Sequence, residues 1–171
     1  MAIPNRIFLI GPMGAGKTTI GKQLAQALGM AFNDSDLEIQ RRTGVDIPTI
    51  FAYEGEDGFR ARERQVIDEL TQVEGQVLAT GGGAVISPEN RQHLSARGIV
   101  FYLACSAEQQ FERTHRDRNR PLLQTEDPLA QLKKLLEIRD PLYRATADYT
   151  VSTEGRSATS VANEILDTVR S

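Results

Sequence analysis

The chain has 171 residues, of which 40% are hydrophobic and 25% charged, and its net charge at pH 7 is −3. This length and composition predict one domain with a genuine core and exclude a largely disordered chain. The slight negative charge argues against nucleic acid or an anionic membrane surface as the main partner, and no apolar stretch approaches the ~18 residues that cross a bilayer. The N-terminus has no signal-peptide pattern and the single cysteine, Cys105, lies in an apolar run, so we expect a cytoplasmic protein with a buried, inert thiol.

Short apolar runs of strand length alternate with helical patterns along the chain. The runs cover residues 6–10, 30–33, 77–80, 99–105 and 149–152. Strands that alternate with helices predict a parallel sheet covered on both faces, with right-handed crossovers. Helices are predicted over residues 20–28 and 57–73, after Ser87, Ser106 and Asp127, and at the C-terminus, where Val161, Ile165 and Val169 share one face.

The strongest motif follows the first predicted strand. Residues 11–18, Gly-Pro-Met-Gly-Ala-Gly-Lys-Thr, match G-x-x-x-x-G-K-[ST], the phosphate-binding P-loop. The backbone N–H groups of such a loop hold phosphate at a helix N-terminus, where the helix dipole also favours negative charge. Lys17 is expected to reach the β- and γ-phosphates and Thr18 to bind Mg²⁺, so a nucleoside triphosphate is the expected ligand.

Two carboxylates, Asp34 and Asp36, follow the second predicted strand. In an extended segment, residues two apart point to the same side, here towards the sheet edge where open α/β folds bind ligands. We assign Asp34 to Mg²⁺ because it ends a strand as a Walker-B aspartate does, and Asp36 to the attacking hydroxyl of the acceptor. The alternative for Asp36 is that it only caps a helix that begins at Leu37.

Two arginines occupy positions that are unusual for a cation. Arg60 lies in the first turn of the helix predicted from residue 57, where the dipole disfavours positive charge, and Arg139 falls on an apolar helix stripe. The alternatives are a solvated basic face for Arg60 and, for Arg139, a favourable helix C-terminus near Pro141. Two arginines that converge from separate helices suit a planar carboxylate, which they bind with paired hydrogen bonds.

A charged loop and a run of glycines complete the predicted site. Residues 114–121 carry four formal charges and no apolar periodicity, and composition alone favours a solvated connection. Beside a P-loop, however, such a loop is expected to close over the γ-phosphate, with Arg120 offsetting charge there. Gly81-Gly82-Gly83 follows the third strand and is expected to form the floor of a small acceptor pocket. These residues predict a P-loop kinase for a small hydroxylated carboxylate.

The sequence resembles shikimate kinase over essentially the whole chain. The resemblance is carried by the P-loop with Thr19 and by residues 34–36, 54–60, 79–83, 120–123 and 139–143. It implies an α/β P-loop NTPase, like the nucleoside-monophosphate kinases, with three α/β/α layers and a five-stranded parallel sheet in the order 2-3-1-4-5. The implied reaction moves the γ-phosphoryl group of ATP to the 3-hydroxyl of shikimate, a step in aromatic amino-acid biosynthesis. We expect a monomer and a single domain over residues 1–171, with a substrate-binding region at about 34–62 and a mobile lid at about 113–125.

Carried over by position, the resemblance also implies the role of each site residue. Shikimate would contact Asp36, Arg60, Gly81, Gly82, Gly83 and Arg139. The nucleotide would contact Gly14, Ala15, Gly16, Lys17, Thr18, Thr19, Arg113, Arg120 and Arg156. Thr18 and Asp34 would attend Mg²⁺, and the catalytic residues would be Lys17, Asp36 and Arg120.

Two other functions stay open from the sequence alone. An enzyme like gluconate kinase also phosphorylates a hydroxylated carboxylate, and charge complementarity does not separate it from a shikimate kinase. A nucleotide-binding module without turnover is the alternative of another class. The sequence has no Asn-Lys-x-Asp motif for guanine and no strong Walker B with a following glutamate, which argues against a GTPase or a mechanical ATPase.

Overall fold

The computed structural model describes residues 3–115 and 126–171. In these ranges helices and strands alternate through most of the chain, as the apolar pattern predicts. They are β1 (Arg6–Ile10), α1 (Lys17–Leu28), β2 (Ala31–Asp34), α2 (Ser35–Thr43), α3 (Ile47–Leu70), β3 (Gln76–Ala79), α4 (Pro88–Arg97), β4 (Ile99–Ala104), α5 (Ala107–Thr114), α6 (Pro128–Thr146), β5 (Tyr149–Ser152) and α7 (Ala158–Arg170). A short 3₁₀ helix, Ala84–Ile86, follows β3.

The strands form one parallel five-stranded sheet in the order β2-β3-β1-β4-β5, which confirms the predicted fold. The central strand β1 pairs Phe8 with Leu78 of β3 on one side and with Val100 of β4 on the other. All strand bounds lie within one residue of those predicted. Because the strands are parallel, the loops that follow β1, β2 and β3 meet at one edge of the sheet.

The sheet is covered on both faces. Side chains alternate along β1, so Ile7 and Leu9 pack with α1 and α7, while Phe8 and Ile10 pack on the opposite face against α4, β4 and α6. The predicted face of the C-terminal helix, with Val161, Ile165 and Val169, is buried. Cys105 is buried as expected, and burial raises the pKa of its thiol. No helix in either described range is long and apolar enough to cross a membrane.

Three helices differ from their predicted bounds. Helix α1 begins at Lys17, three residues before its predicted start. The helix predicted over 57–73 begins at Ile47, kinks at Gly55 and ends at Leu70. Gly55 has φ 73° and ψ −179°, a left-handed backbone that glycine adopts most readily. Val73, the last residue of the predicted helix, lies beyond the helix and is exposed. Helix α6 does not end near Pro141 but continues through it to Thr146.

Candidate active site

The P-loop forms a phosphate cradle between β1 and α1. Gly14 and Gly16 have φ 80° and 88°, which turns the backbone sharply before α1 begins at Lys17. The N-cap of α1 is Gly16, which has no side chain to bond the first N–H groups of the helix. The Lys17 ammonium donates to the carbonyl oxygens of Gly11 and Pro12, at 2.6 and 2.8 Å. The loop therefore presents N–H groups and a lysine at one sheet edge, as an anion-binding site requires.

Asp34 contacts the P-loop and also starts the next helix. The Thr18 hydroxyl donates to Asp34 Oδ2 at 3.0 Å. Asp34 Oδ1 accepts from the N–H groups of Asp36 and Leu37, at 2.9 and 3.2 Å, so Asp34 is the N-cap of α2. The alternative in which Asp36 caps a helix that begins at Leu37 is therefore wrong. The helix begins at Ser35, and Asp34 has the capping role that the sequence analysis did not give it.

The Thr18 and Asp34 oxygens suit a magnesium ion. Mg²⁺ prefers hard oxygen ligands, and in phosphate sites it is held by one or two protein groups together with phosphate oxygens and waters. The described residues contain no group of three or more His, Cys, Asp or Glu that could enclose a metal ion. A hydroxyl and a carboxylate beside a phosphate cradle thus fit Mg²⁺ bound together with a nucleotide.

Asp36 lies across the cleft from the P-loop, against the glycine run. It occupies the first turn of α2, so the prediction that both carboxylates belong to one extended segment is wrong, although both line the same cleft of about 400 Å³. A β-carbon at Gly81 would lie 2.6 Å from Asp36 Oδ1, so only glycine allows this approach. The Gly81 N–H donates to Ser35 Oγ at 3.2 Å, which ties the glycine run to the start of α2.

Arg60 reaches the other end of the glycine run from α3. Its side chain is buried, with the residue 7% exposed, which excludes the solvated basic face. Arg60 lies five residues after the Gly55 kink, close to the start of the second part of α3. Its Nη1 donates to Glu63 Oε1 at 2.9 Å, and its Nε donates to Glu56 Oε2 at 3.4 Å. A β-carbon at Gly83 would lie 2.5 Å from Arg60 Nη1, so the guanidinium lies directly on this glycine.

Glu63 is a site residue that the sequence analysis missed. It is 0% exposed, and burial raises the pKa of its carboxyl while the neighbouring Arg60 guanidinium opposes that shift. Its position three residues after Arg60 on one helix face was the available signal. Glu63 forms an ion pair with Arg60 on the side of the guanidinium that faces away from solvent.

Arg139 approaches the same glycine run from α6. It is 5% exposed, and α6 continues to Thr146, so a helix C-terminus does not account for its charge. Burial lowers the pKa of its guanidinium, the nearby Tyr143 opposes that shift, and the positive charge of Arg60 adds to it. Arg139 Nη1 lies 3.7 Å from the β-carbon position of Gly82. Arg60 and Arg139 therefore converge on adjacent glycines, as the sequence analysis expected.

Two further arginines lie beside the first turn of α1. Arg113 Nη1 donates to the Gly14 carbonyl at 2.7 Å, and Nη2 donates to the Thr153 carbonyl at 3.4 Å. Arg156 donates to the Ser152 carbonyl at 3.0 Å and to Glu164 at 2.8 Å. Both arginines line a cavity of about 160 Å³, together with Ala15, Gly16, Thr19, Ile20, Thr153, Ala158 and Val161. The predicted Arg120 and residues 116–125 of the predicted lid lie outside the described residues.

Comparison with known proteins assigns the family. The shikimate kinase family model matches residues 13–170. The shikimate kinase of Methylococcus capsulatus is 62% identical to this chain, over 95% of it and 91% of its own length. The solved structure of shikimate kinase from Acinetobacter baumannii in complex with shikimate has 54% identity and a TM-score of 0.95, covering 97% of this chain and 93% of its own. This chain belongs to the shikimate kinase family.

Membership in the shikimate kinase family confirms the predicted resemblance and the predicted class of enzyme, a kinase with ATP as substrate. A gluconokinase from Sinorhizobium meliloti has a TM-score of 0.61 to this chain at 18% identity, which shows a shared fold alone. A shikimate kinase from Aquifex aeolicus, at 36% identity, reaches a TM-score of 0.84 with 96% of each chain covered. The family assignment therefore favours shikimate kinase over the gluconate-kinase alternative.

Proposed function

We propose that the protein transfers the γ-phosphoryl group of ATP to the 3-hydroxyl of shikimate, giving shikimate 3-phosphate in the pathway to chorismate and the aromatic amino acids. The observation that carries this proposal is the pair of buried arginines that converge on Gly82 and Gly83, because the same glycine run lines the cleft that contains the P-loop. This arrangement provides a carboxylate site beside a phosphate donor site. The family assignment supports shikimate as the acceptor.

The two arginines bind the acceptor and set its orientation. A guanidinium binds a carboxylate through two parallel hydrogen bonds, so Arg60 and Arg139 fix both the position and the plane of the shikimate carboxylate. Because both are buried, their charges are screened little by solvent. Gly81, Gly82 and Gly83 bring the backbone within contact of the bound ring, which places its hydroxyl groups towards Asp36.

Asp36 is the group that receives the acceptor proton. The 3-hydroxyl donates to its carboxylate, and the proton passes to Asp36 as the hydroxyl oxygen bonds to the γ-phosphorus. The bond from that phosphorus to the bridging oxygen breaks, and its electron pair leaves with ADP. Lys17 and the P-loop N–H groups stabilise charge on the phosphates throughout.

A metal ion and three arginines complete the proposed nucleotide site. Thr18 and Asp34 would hold Mg²⁺, which would supply charge neutralisation at the phosphates. Arg113 and Arg156 contact the nucleotide in this proposal, which the cavity that both line next to the first turn of α1 supports.

Arg120 stays a prediction from the sequence: Arg120→Ala should lower kcat at least ~10²-fold with little change in shikimate affinity. A kcat close to wild type would contradict that assignment.

We also propose that the enzyme is a cytoplasmic monomer with one kinase domain, a substrate-binding region at about 34–62 and a lid at about 113–125. Light scattering after size-exclusion chromatography should give a mass near 18.9 kDa. A mass of twice that value would contradict the monomer.

The direct test is acceptor-dependent ADP release from MgATP in a coupled assay, with shikimate, with gluconate and without acceptor. We expect turnover with shikimate only, and phosphorus NMR should show a 3-phosphate monoester. Turnover with gluconate alone would overturn the acceptor assignment and keep the kinase. ATP binding without acceptor-dependent turnover would favour the nucleotide-binding module.

A further inference from the structure

Tyr143 lies one helical turn after Arg139 on α6 and contacts the glycine run of the acceptor pocket. It is 1% exposed, and its hydroxyl donates to the carbonyl oxygen of Gly82. Arg139 Nη1 also lies near this glycine, 3.7 Å from its β-carbon position. One hydrogen bond therefore ties α6, close to Arg139, to the glycine run.

The direction of this hydrogen bond follows from the groups involved. A carbonyl oxygen only accepts, whereas a phenol has one proton to donate. The Tyr143 proton must therefore point to Gly82. Burial raises the pKa of this hydroxyl, while the Arg139 charge opposes the shift, so Tyr143 keeps its proton over the physiological range.

The two arginines of the pocket are held in different ways. Arg60 has carboxylate partners, since it forms ion pairs with Glu63 and Glu56. Arg139 takes part in no ion pair between residues of the described ranges 3–115 and 126–171. No ion pair therefore neutralises its guanidinium, and this leaves the Arg139 charge for an anionic ligand.

We propose that Tyr143 is a positioning residue for the acceptor, because its hydroxyl ties α6, the helix that carries Arg139, to the Gly82 backbone. This inference rests on the proposed function, in which Arg139 and Gly82 both contact shikimate. Without the hydroxyl, α6 would lose this hydrogen bond to the glycine run beside Arg139. Shikimate would then bind to a less ordered pocket, while the P-loop would be unchanged.

Tyr102 provides a matched control. Its ring stacks on that of Tyr143, with centroids 4.7 Å apart, and it is equally buried. Its hydroxyl, however, donates to Asp140 at 2.6 Å. Tyr102 and Asp140 line a separate cavity of about 630 Å³ whose walls include none of the predicted site residues. Tyr102→Phe thus removes one buried hydroxyl from the same aromatic cluster without touching the acceptor pocket.

The experiment compares wild type, Tyr143→Phe and Tyr102→Phe in KM for shikimate, KM for ATP, kcat and thermal midpoint. We expect Tyr143→Phe to raise the shikimate KM ~10-fold, about the size of one lost hydrogen bond, with the ATP KM and kcat within about threefold of wild type. Tyr102→Phe should leave all three kinetic constants near wild type. Equal shikimate KM values for the two variants would overturn the inference alone, whereas a wild type inactive with shikimate would overturn the proposed function and the inference with it.

A double variant distinguishes positioning from a purely structural effect. If Tyr143 acts through Arg139, introducing Tyr143→Phe into the Arg139→Lys variant should raise its shikimate KM by less than about twofold. If the two substitutions instead multiply their separate effects on the shikimate KM, the inference is overturned.

If Tyr143→Phe folds poorly, proton NMR of the wild type gives a second readout. The buried hydroxyl proton should exchange slowly and shift when shikimate is added, and a resonance that does not respond would overturn the inference.

Discussion

The phosphate side of the cleft takes its ligand groups from residues 11–18, whereas the acceptor side takes Asp36, Arg60 and Arg139 from three different helices. The phosphate side is mostly backbone geometry fixed by a local motif. The acceptor side consists of side chains whose positions depend on packing and on buried partners. Substitutions on the acceptor side should therefore change shikimate binding and leave ATP binding unchanged.

The largest effect is expected from Asp36→Asn, which keeps the shape of the side chain but removes the proton acceptor. General-base groups contribute ~10²–10⁴-fold to rate, so kcat should fall by that factor while the ATP KM stays near wild type. Asp57→Asn is the control, because Asp57 is exposed on α3 and outside the cleft. Steady-state kinetics of both variants provide the check, and a kcat within tenfold of wild type for Asp36→Asn would remove Asp36 from the chemistry.

The next effect is expected from Arg139→Ala, which removes a buried charge from the carboxylate site. Truncation of one member of a buried, hydrogen-bonded charge pair weakens binding by ~10²-fold, so the shikimate KM should rise by about that factor. Arg144→Ala is a control on the same helix, because Arg144 is exposed and pairs with Asp140 at 2.9 Å. A rise in the ATP KM equal to the rise for shikimate would break the separation of the two sides.

A smaller effect is expected from Gly83→Ala. Its β-carbon would lie 2.5 Å from Arg60 Nη1, so the guanidinium must move, and the shikimate KM should rise ~10-fold. Steady-state kinetics of the variant and of wild type provide the check. A shikimate KM within threefold of wild type would show that the position of Arg60 is not critical.

The smallest effect concerns stability on the acceptor side. Hydrogen bonds from Arg41 and then Arg42, against a cost of burial, lower the pKa of Glu38 from 4.5 to about 2. A lowered pKa in the folded state stabilises the fold above pH 4.5, and this stabilisation is lost as the pH falls towards 2. Glu38→Gln should therefore reduce the free energy of unfolding at pH 7 by ~1 kcal/mol or less, given solvent screening.

Urea unfolding of Glu38→Gln and wild type at pH 7 and at pH 3 checks this sign. The difference in unfolding free energy should be smaller at pH 3, and kinetics at pH 7 should be unchanged. A difference in unfolding free energy that grows as the pH falls would contradict a lowered pKa of Glu38 in the folded state.

The features that the sequence predicted correctly are local ones. The P-loop, β1 and the end of α1 are set by neighbouring residues, and Asp127 caps α6 as its position before Pro128 indicates. Ser106 caps α5 by accepting from the Gln109 N–H at 3.1 Å. The Ser106 N–H itself donates to Glu154 at 3.0 Å. That partner comes from beyond β5, so local pattern could not identify it.

The wrong predictions on the acceptor side also concern features that local sequence pattern does not determine. Asp34 and Asp36 are both good capping residues, and the choice depends on where β2 ends. Asp34 pairs with Ala79 of the neighbouring strand, so the strand continues to residue 34 and the helix follows at once. The first half of α3 forms because Ile47 and Ile50 pack with Ile39 and Phe59, a cluster that exists only in the folded chain. Glu63 and Tyr143 were missed because their roles depend on buried contacts, of Glu63 with Arg60 and of Tyr143 with Gly82.

The most direct test of the account is whether the acceptor side recognises a negative charge. The measurement is kcat/KM of the wild-type enzyme for shikimate and for its primary amide, which has nearly the same shape and no charge. Because Arg60 and Arg139 are buried on the glycine run, we predict that the amide is at least ~10²-fold worse, mainly through KM, at an unchanged KM for ATP. An amide within threefold of shikimate would contradict the carboxylate site.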